Sequence, residues 1–408
     1  MVVVRPFKAI RPEATLADKV AELPYDVVDS AEARALAQDN PYSYFHIDKA
    51  EIDLPQSISP YDEAVYQKAA ANLADFLQKG WLEKDGQENY YLYQLTMEGR
   101  SQTGLVACTS IDDYAEGKIK KHEYTRHEKE IDRMNHIRSC DANTSPIFLS
   151  YRENQATQQL IRNWQETHEP IYDFTSYHNV HHKVWALDDT AVIKQLEEAF
   201  SSLDALYIAD GHHRTESAVK VGLEKRQEQT NSAESDSFLS ILFPEDELLI
   251  KEYNRVLDVE IPSDFFEQLQ ENFEVEETTE KRPNSSAEMM MYLSGGWYNL
   301  KVKDNKIPTD PVGKLDVSLL QNLLIAPIFD IQDVRSDKRI DFVGGIHGPQ
   351  KLEELVDSQN GTVAFSMYPT KMRDLLQVAD AKEIMPPKST WFEPKLLSGL
   401  FLHDLETK

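Results

Sequence analysis

The stretch that decides the fold is Ala205-Leu206-Tyr207-Ile208-Ala209-Asp210-Gly211-His212-His213-Arg214-Thr215-Glu216-Ser217-Ala218. Its first five residues are apolar and predict a short buried strand. Gly211 provides a tight turn, and a helix is predicted from about residue 213 to residue 228. The sequence therefore predicts a strand that passes through a single glycine directly into a helix.

The polar residues of this turn favour an anion. A helix N-terminus offers free backbone amides and the positive end of the helix dipole. Gly211 lets the backbone approach a ligand closely, and Arg214 can hold phosphate oxygens bidentately. His212 and His213 add hydrogen-bond donors, while Asp210 could hold Mg²⁺ or act as a base. The alternative is a polar helix start in which the Asp and Thr side chains only cap the helix.

Outside this stretch, strand-like and helix-like segments mix without strict alternation. Residues 42–47 predict a strand, residues 90–95 and 104–108 predict a hairpin, and residues 61–82 have the apolar spacing of a long helix. This mixture predicts the α+β class with mixed sheets.

Two domains are predicted from this organisation. Residues 1–258 would hold the phosphate site together with an inserted hairpin and helices, and residues 259–408 would form an additional C-terminal α+β region that contributes pocket loops.

Composition limits the partners. The chain has 43 Lys and Arg against 70 Asp and Glu, a formal net charge of −27, which argues against binding to nucleic acid or anionic lipid. No apolar run approaches the ~18 residues of a membrane span. Two cysteines without a C-x-x-C pair predict a reducing, cytoplasmic location. Only 15 glycines occur, with no G-x-x-x-x-G-K-[ST] loop and no strand-linked G-x-G-x-x-G.

A second charged segment covers residues 119–138, which we predict to be helical. In a helix, His122, Arg126, Lys129 and Arg133 would share one basic face in an otherwise acidic protein. That face would bind substrate or phosphate. The alternative is a surface helix with many salt bridges, because acidic residues such as Glu123 alternate with the basic ones.

The C-terminal region offers further candidates. Residues 385–395 are too proline-rich for regular structure, and rigid turns beside Lys388, Ser389, Thr390 and Lys395 suit a loop that lines a pocket. Residues 335–348 concentrate glycine and basic residues. For both segments the alternative is a tight packing turn.

Short motifs are spread along most of the chain: Arg5-Pro6-Phe7, Pro24-Tyr25-Asp26-Val27-Val28, Asn40-Pro41-Tyr42-Ser43, His122-Glu123 with Thr125-Arg126 and Asp132-Arg133, Ala209-Asp210-Gly211-His212-His213-Arg214, Asn254-Arg255-Val256, Asp341-Phe342-Val343-Gly344-Gly345 and residues 386–394. In this order they resemble the family catalogued as domain of unknown function 1015. By its name, the family's function is not settled.

The Asp210-to-Arg214 turn also looks like the phosphate-binding box of the ParB/sulfiredoxin superfamily, which has a Gly-x-x-Arg core between a strand and a helix. That group includes nucleotide-hydrolysing partition proteins, sulfiredoxin and free-serine kinases. The resemblance implies a ParB/sulfiredoxin-like core and a link to serine metabolism. The chain has no cysteine in this box and no basic helix-turn-helix, which argues against sulfinic-acid reduction and against a partition protein.

The first functional hypothesis is a Mg²⁺-dependent phosphotransferase, a kinase for a small hydroxyl metabolite such as serine, with ATP, ADP or CTP as nucleotide. Asp210 would hold Mg²⁺ or the substrate hydroxyl, Glu123 is the reserve base, and Lys388 or Arg126 would neutralise charge during transfer. The predicted phosphate-binding residues are His122, Gly211, His212, His213, Arg214, Ser389 and Thr390. The alternatives are a regulatory switch that binds and hydrolyses nucleotide, and a phosphatase of a small phosphorylated metabolite.

Overall fold

A computed structural model describes residues 1–358 and 361–406 of the chain. Contacts within the chain divide it into two compact units: unit 1 is Met1–Leu248 with Pro394–Lys408, and unit 2 is Leu249–Glu393. The domain boundary predicted from sequence lay after residue 258, whereas the units divide after Leu248 and the chain returns to unit 1 at Pro394.

Strands and helices are numbered in chain order. The strands are β1 (Val4–Arg5), β2 (Ala9–Pro12), β3 (Leu82–Lys84), β4 (Tyr90–Met97), β5 (Arg100–Ser110), β6 (Ile119–Lys120), β7 (Ala142–Asn143), β8 (Ile147–Tyr151), β9 (Tyr172–Thr175), β10 (His181–Leu187), β11 (Leu206–Asp210), β12 (Ser237–Pro244), β13 (Leu249–Lys251), β14 (Tyr253–Leu257), β15 (Phe273–Thr278), β16 (Glu288–Leu293), β17 (Gly296–Val302), β18 (Ile340–Gly344), β19 (Val363–Met367), β20 (Trp391–Glu393) and β21 (Leu402–Asp404). The α-helices are α1 (Ala17–Val20), α2 (Ser30–Ala37), α3 (Phe45–Asp48), α4 (Glu63–Gln78), α5 (Ile111–Ala115), α6 (His127–Cys140), α7 (Gln155–Thr167), α8 (Thr190–Ser201), α9 (His212–Glu228), α10 (Phe265–Asn272), α11 (Asp316–Leu320), α12 (Ala326–Phe329), α13 (Gln350–Asp357) and α14 (Met372–Asp380). The remaining short helices are Ala14–Leu16, Ala50–Asp53, Tyr177–Asn179, Glu234–Asp236, Glu245–Glu247, Asp304–Lys306, Gln321–Ile325 and Gly345–His347.

Unit 1 is built on a mixed sheet with the strand order β6-β11-β8-β12-β5-β4-β10-β9, and β1 also pairs with β5. Pairs β11/β6 and β12/β8 are parallel, and the other neighbours are antiparallel. The predicted hairpin is confirmed, because β4 pairs with β5 from Tyr91 opposite Val106 to Met97 opposite Arg100. Strand β12 is buried along its whole length, which places the core around the centre of this sheet.

The strand–glycine–helix prediction is confirmed. Strand β11 ends at Asp210, Gly211 makes the turn, and α9 begins at His212. Residues 206–209 are all buried, as expected for a strand with neighbours on both sides. Helix α9 packs against α6. The sheet and this helix pair together fix the position of the turn.

The last strand of the chain belongs to unit 1. Strand β21 lies inside a second, four-stranded sheet with the order β3-β2-β21-β7. Leu402 is fully buried there in a cluster with Ile10, Val20 and Tyr44. Residues near the C-terminus therefore complete a core that the N-terminal segment begins.

Two local predictions are wrong. Residues 42–47 do not form a strand, because the Asn40 side chain accepts the Tyr42 amide in a turn and Phe45–Asp48 is helical. Residues 119–138 do not form one helix, because Ile119–Lys120 pairs with β11 and α6 begins only at His127. The predicted long helix over residues 61–82 is confirmed as Glu63–Gln78.

Unit 2 has an antiparallel sheet with the order β15-β17-β16-β19-β14-β18 and a separate pair, β13 with β20. The α+β prediction with several sheets is confirmed. Within the described ranges, every helix is too short or too polar to cross a membrane.

Candidate functional site

Gly211 is required by the geometry of the turn. Its φ is +91°, in the left-handed region that an L-residue adopts only with strain. A Cβ at this position would lie 3.1 Å from Nε of Arg214, so the Arg214 side chain folds back over the Gly211 backbone. Gly211 provides no side-chain cap for α9. The first turn of α9 and the Arg214 guanidinium therefore lie together without a capping side chain.

Arg214 is buried, with 8% of its surface exposed. Its Nη1 donates to the Pro146 carbonyl at 2.6 Å, and its Nη2 lies 3.7 Å from a carboxylate oxygen of Asp26. Within the described part of the chain, Nε is buried without a hydrogen-bond partner. Burial opposes the charge, but Asp26 and Asp210 outweigh it and raise the pKa of Arg214. A permanently charged guanidinium thus keeps an unsatisfied N–H donor at the turn.

Asp210 pairs with Lys395. Their closest atoms, Oδ2 and Nζ, are 3.3 Å apart, and Oδ1 of Asp210 accepts the Gly211 amide at 2.8 Å. Burial favours the neutral acid, but Lys395 and Arg214 outweigh burial and hold the pKa of this carboxyl well below its usual range. Asp210 is therefore ionised at neutral pH. Such a carboxylate is a good metal ligand and a weak proton acceptor.

His122 and His212 form a buried ring pair. Their centroids are 4.5 Å apart with the rings at 89°, and the His122 backbone amide donates to Nε2 of His212 at 3.5 Å. Both ring nitrogens of His122 are buried without a partner among the described residues. Burial lowers the pKa of His122 to about 4 and lowers the pKa of His212 well below its ordinary value. Both rings are neutral at pH 7.

The tautomer of His212 directs a donor towards Glu123. Because Nε2 accepts the His122 amide, the proton is on Nδ1, which lies 4.0 Å from a carboxylate oxygen of Glu123. Glu123 is 42% exposed in its side chain. The structure thus brings His122, His212 and Glu123 together at the start of α9.

His213 and Arg126 meet through the backbone rather than through a shared helical face. The Arg126 amide donates to Nε2 of His213 at 2.9 Å, and the Arg126 side chain is 63% exposed near Glu128. The predicted basic face is wrong, because His122 and Arg126 precede α6. Lys129 and Arg133 do lie on α6, and the Lys129 Nζ donates to the Tyr61 hydroxyl.

Arg133 adds a second buried guanidinium. Its Cζ lies 3.9 Å from the centroid of the Tyr25 ring, and Nε lies 3.0 Å from Asp132. Its Nη1 lies 3.4 Å from Asp48, which also accepts the Ser145 hydroxyl at 2.9 Å. Sequence reasoning missed Tyr25, Asp48 and Ser145 as site residues. The motif of residues 24–28 was the available signal for Tyr25, and no motif covered Asp48 or Ser145.

A small cavity in unit 1 is lined by both arginines. It has a volume of about 20 Å³, and its walls include Arg133, Arg214, Tyr25 and Ser145. That space is sufficient for about one water molecule. Its lining is mostly apolar, with Ile137, Ile147 and Ala218 beside the two arginines and the Ser145 hydroxyl.

Lys388, Ser389 and Thr390 belong to unit 2. The Ser389 hydroxyl donates to the Pro386 carbonyl at 2.6 Å, and the Lys388 Nζ lies 5.4 Å from the centroid of the Tyr253 ring. Thr390 is half-buried. The phosphate-binding role of Ser389 and Thr390 and the charge-neutralising role of Lys388 stay predictions.

No three His, Cys, Asp or Glu residues are placed to hold a metal ion in the described part of the chain. Mg²⁺ usually binds one or two carboxylates, together with water and the phosphates of its ligand. Asp210 fits that need, because it is ionised and 34% of its side chain is exposed. A nucleotide-bound Mg²⁺ is therefore compatible with these residues, whereas an all-protein metal cage is not present among them.

Family comparison gives a clear assignment. A model of the family described as protein of unknown function (DUF1015) matches residues 4–318. The chain belongs to the DUF1015 family. No curated protein sequence matches it.

Several solved structures are similar at low identity. A free serine kinase variant in complex with AMP is 11% identical, with a TM-score of 0.38 over 74% of this chain and 91% of that chain. SbnI from Staphylococcus aureus is 12% identical, with a TM-score of 0.40 over 72% and 85%. A conserved hypothetical protein from Pyrococcus furiosus is 12% identical, with a TM-score of 0.35 over 74% and 97%.

Proposed function

We propose that unit 1 binds the phosphate groups of a nucleotide at the start of α9 and transfers a phosphoryl group to the hydroxyl of a small metabolite. The observation that carries this proposal is Arg214: a buried guanidinium with an unpartnered Nε, lying over a glycine turn at an uncapped helix N-terminus. Guanidinium groups and helix N-terminal amides both bind phosphate oxygens.

Simple capping does not account for this arrangement. A capped helix start satisfies its amides with one side chain, whereas here Gly211 has none and the Asp210 carboxylate binds the Gly211 amide and Lys395. Arg133 and Arg214 both reach the cavity beside the turn. Arg133 already pairs with Asp132 and Asp48, whereas Nε of Arg214 is buried without a partner among the described residues, a free-energy cost that a bound anion would offset.

The cations and the carboxylates of this site would have different roles in phosphoryl transfer. Arg214, with Arg133 behind it, would hold phosphate oxygens, and the neutral His212 would donate or accept hydrogen bonds without adding charge. Asp210 would hold Mg²⁺, and the low pKa of its carboxyl suits this role better than proton abstraction. Magnesium would neutralise charge on the phosphates. Lys395 orients Asp210.

Glu123 is the proposed proton acceptor for the substrate hydroxyl. It lies next to the Nδ1 proton of His212, and its partial exposure leaves a route for a small substrate. Arg126 is the proposed residue that neutralises charge during transfer. Serine is the first metabolite to assay, as the superfamily resemblance implies.

Three further expectations belong to this proposal. Unit 1 would carry the ParB/sulfiredoxin-like core, supported by the order of strand, glycine and helix around the Gly-x-x-Arg motif. The nucleotide would be ATP, ADP or CTP. A reducing cytoplasm is supported by Cys108 and Cys140, which are both free thiols.

A thermal-shift panel tests ligand binding. Wild-type protein is melted with ATP, ADP and CTP, with and without Mg²⁺ and serine. A true ligand at about 100 times its Kd stabilises the folded protein by ~2.7 kcal/mol. Failure of every nucleotide to raise the melting temperature would contradict the proposal and favour the phosphatase.

Product analysis then separates the kinase from a switch. A kinase forms phosphorylated metabolite in the same molar amount as the nucleotide it consumes. Nucleotide loss at an equal rate without any metabolite would refute the transferase and support a regulatory switch that hydrolyses nucleotide.

A further inference from the structure

One face of the unit 2 sheet carries an unusual group of side chains. Tyr253 and Arg255 are two residues apart on β14 and therefore point to the same face. On the neighbouring strand β18, Phe342 lies opposite Arg255 and Gly344 lies opposite Tyr253. These four positions form one patch, whereas Val256 points to the other face and joins an apolar core.

Arg255 is buried without a carboxylate partner. Only 4% of its surface is exposed. Its Nη1 donates to the Tyr253 carbonyl and its Nη2 to the Lys388 carbonyl at 3.0 Å, so two of five N–H donors are used. Within the described residues no Asp or Glu lies within ion-pair distance of Arg255. Burial lowers the pKa of Arg255 to about 10, so the group is still charged at neutral pH.

Aromatic side chains lie on the same face of the sheet as this guanidinium. Its Cζ lies 5.3 Å from the Phe342 centroid, and the Tyr253 and Trp391 rings meet edge to face at 5.1 Å. Trp391 fits because Gly344 has no side chain: a Cβ there would lie 2.8 Å from the Trp391 ring. Lys388 places a second positive charge 5.4 Å from the Tyr253 centroid.

Buried charges in proteins are normally paired, because removing an ion from water costs several kcal/mol. Arg255 has hydrogen bonds to neutral carbonyls only. A bound anion would supply the missing charge, and the remaining N–H donors match two oxygens of a planar or tetrahedral oxyanion. The aromatic rings would contact the carbon part of the ligand.

We propose that unit 2 carries a binding site for a small organic oxyanion, a carboxylate or a phosphate monoester, held by Arg255 with Lys388 and contacted by Tyr253, Phe342 and Trp391. This site is additional to the nucleotide site proposed for unit 1, and its evidence does not depend on that proposal.

Thermal shift and tryptophan fluorescence test the site. Inorganic phosphate, phenyl phosphate and benzoate are titrated against NaCl of equal ionic strength, in an Arg214→Lys background that weakens the proposed site of unit 1. At least one probe should raise the melting temperature above the NaCl control and change the emission of Trp391. The Trp391→Phe variant should lose the fluorescence response. Benzoate and phosphate responses distinguish the two ligand classes.

Substitutions at Arg255 test whether the probes bind at this residue. Arg255→Met should weaken binding about 10- to 100-fold, the loss expected for a charged hydrogen bond. Arg255→Lys keeps the charge but loses the planar fork, so it should also weaken binding and decides the question if the Met variant does not fold. Arg282→Met is the matched control, because Arg282 is 61% exposed in the same unit.

Two results would overturn the proposal. One is that no probe exceeds the NaCl control, and the other is that the folded Arg255 variant binds the probe as tightly as its parent. Nucleotide binding in wild type is measured separately, so failure at Arg255 is distinguishable from failure at Arg214.

Discussion

Replacing Gly211 with alanine separates the strain of the turn from its contact with Arg214. Gly211 has a φ of +91°, and a Cβ would lie 3.1 Å from Nε and 3.3 Å from Cζ of Arg214. Gly80 is a matched control in unit 1, because its φ is +68° and a Cβ there would meet nothing within 4 Å. Both substitutions impose left-handed strain, but only Gly211→Ala moves the guanidinium.

Both substitutions should lower stability, but only Gly211→Ala should also lower phosphate affinity. Left-handed strain costs roughly 1–2 kcal/mol at each position, which corresponds to a fall of several degrees in the melting temperature. In Gly211→Ala the Arg214 side chain must also shift by a few tenths of an ångström, and the turn approaches the ligand less closely. Hydrogen bonds between charged groups depend on this geometry. The affinity of Gly211→Ala for phosphate should therefore be about 10-fold lower than that of Gly80→Ala.

Isothermal titration with nucleotide, with parallel urea unfolding of each variant, measures both effects. Gly80→Ala should lose stability and keep its nucleotide affinity, whereas Gly211→Ala should lose both. Equal affinity in the two variants would refute the inference that ligand phosphates contact the turn and Arg214.

Further predictions concern charge, pH and the C-terminal strand. Asp210→Asn should abolish the Mg²⁺-dependent part of nucleotide affinity, because it removes the ionised carboxylate that would bind the metal. Nucleotide is titrated with and without Mg²⁺, and a metal effect that persists in the variant would contradict this. Burial raises the pKa of Asp316 to about 7, so the folded protein retains a proton that the unfolded chain releases near pH 4. The free energy of unfolding of the protein therefore falls as the pH rises from about 4 to 7. Asp316→Asn should remove that fall, measured by urea unfolding at pH 5 and 8. An unchanged difference between the two pH values would contradict the role of Asp316. Leu402→Ala should cost about 2–5 kcal/mol in urea unfolding, because Leu402 is fully buried in unit 1; a cost below ~1 kcal/mol would mean that the C-terminal strand does not complete this core.

Local patterns in the sequence predicted the elements that local physics determines. The hairpin of β4 and β5, the helix over residues 61–82 and the turn at Gly211 all follow from residue spacing and from one glycine. At residues 42–47, aromatic residues favoured a strand, but the Asn40 and Ser43 side chains accept backbone amides and hold a turn. At Ile119, pairing with β11 overrides helical spacing.

Much of the site is formed by contacts between residues that are far apart in the sequence, which local patterns do not predict. Asp210 and Arg214 were identified because they follow one strand, whereas Tyr25 and Asp48 reach Arg133, and Ser145 reaches Asp48, from other segments of the chain. Of these three residues, only Tyr25 lies in a motif of the family resemblance. The ion pair of Asp210 with Lys395 joins residues that are 185 positions apart, and local spacing carries no information about such a pair.

Nucleotide affinity in Arg214→Lys tests the central claim most directly. Lysine keeps the positive charge but cannot form two parallel N–H bonds to phosphate. Isothermal titration with ATP and Mg²⁺ should show saturable binding to wild type and about 10- to 100-fold weaker binding to Arg214→Lys. The control Arg138→Lys changes an exposed arginine on α6, paired with Glu224, and should bind as wild type does. Equal affinities in all three proteins would contradict phosphate binding at Arg214.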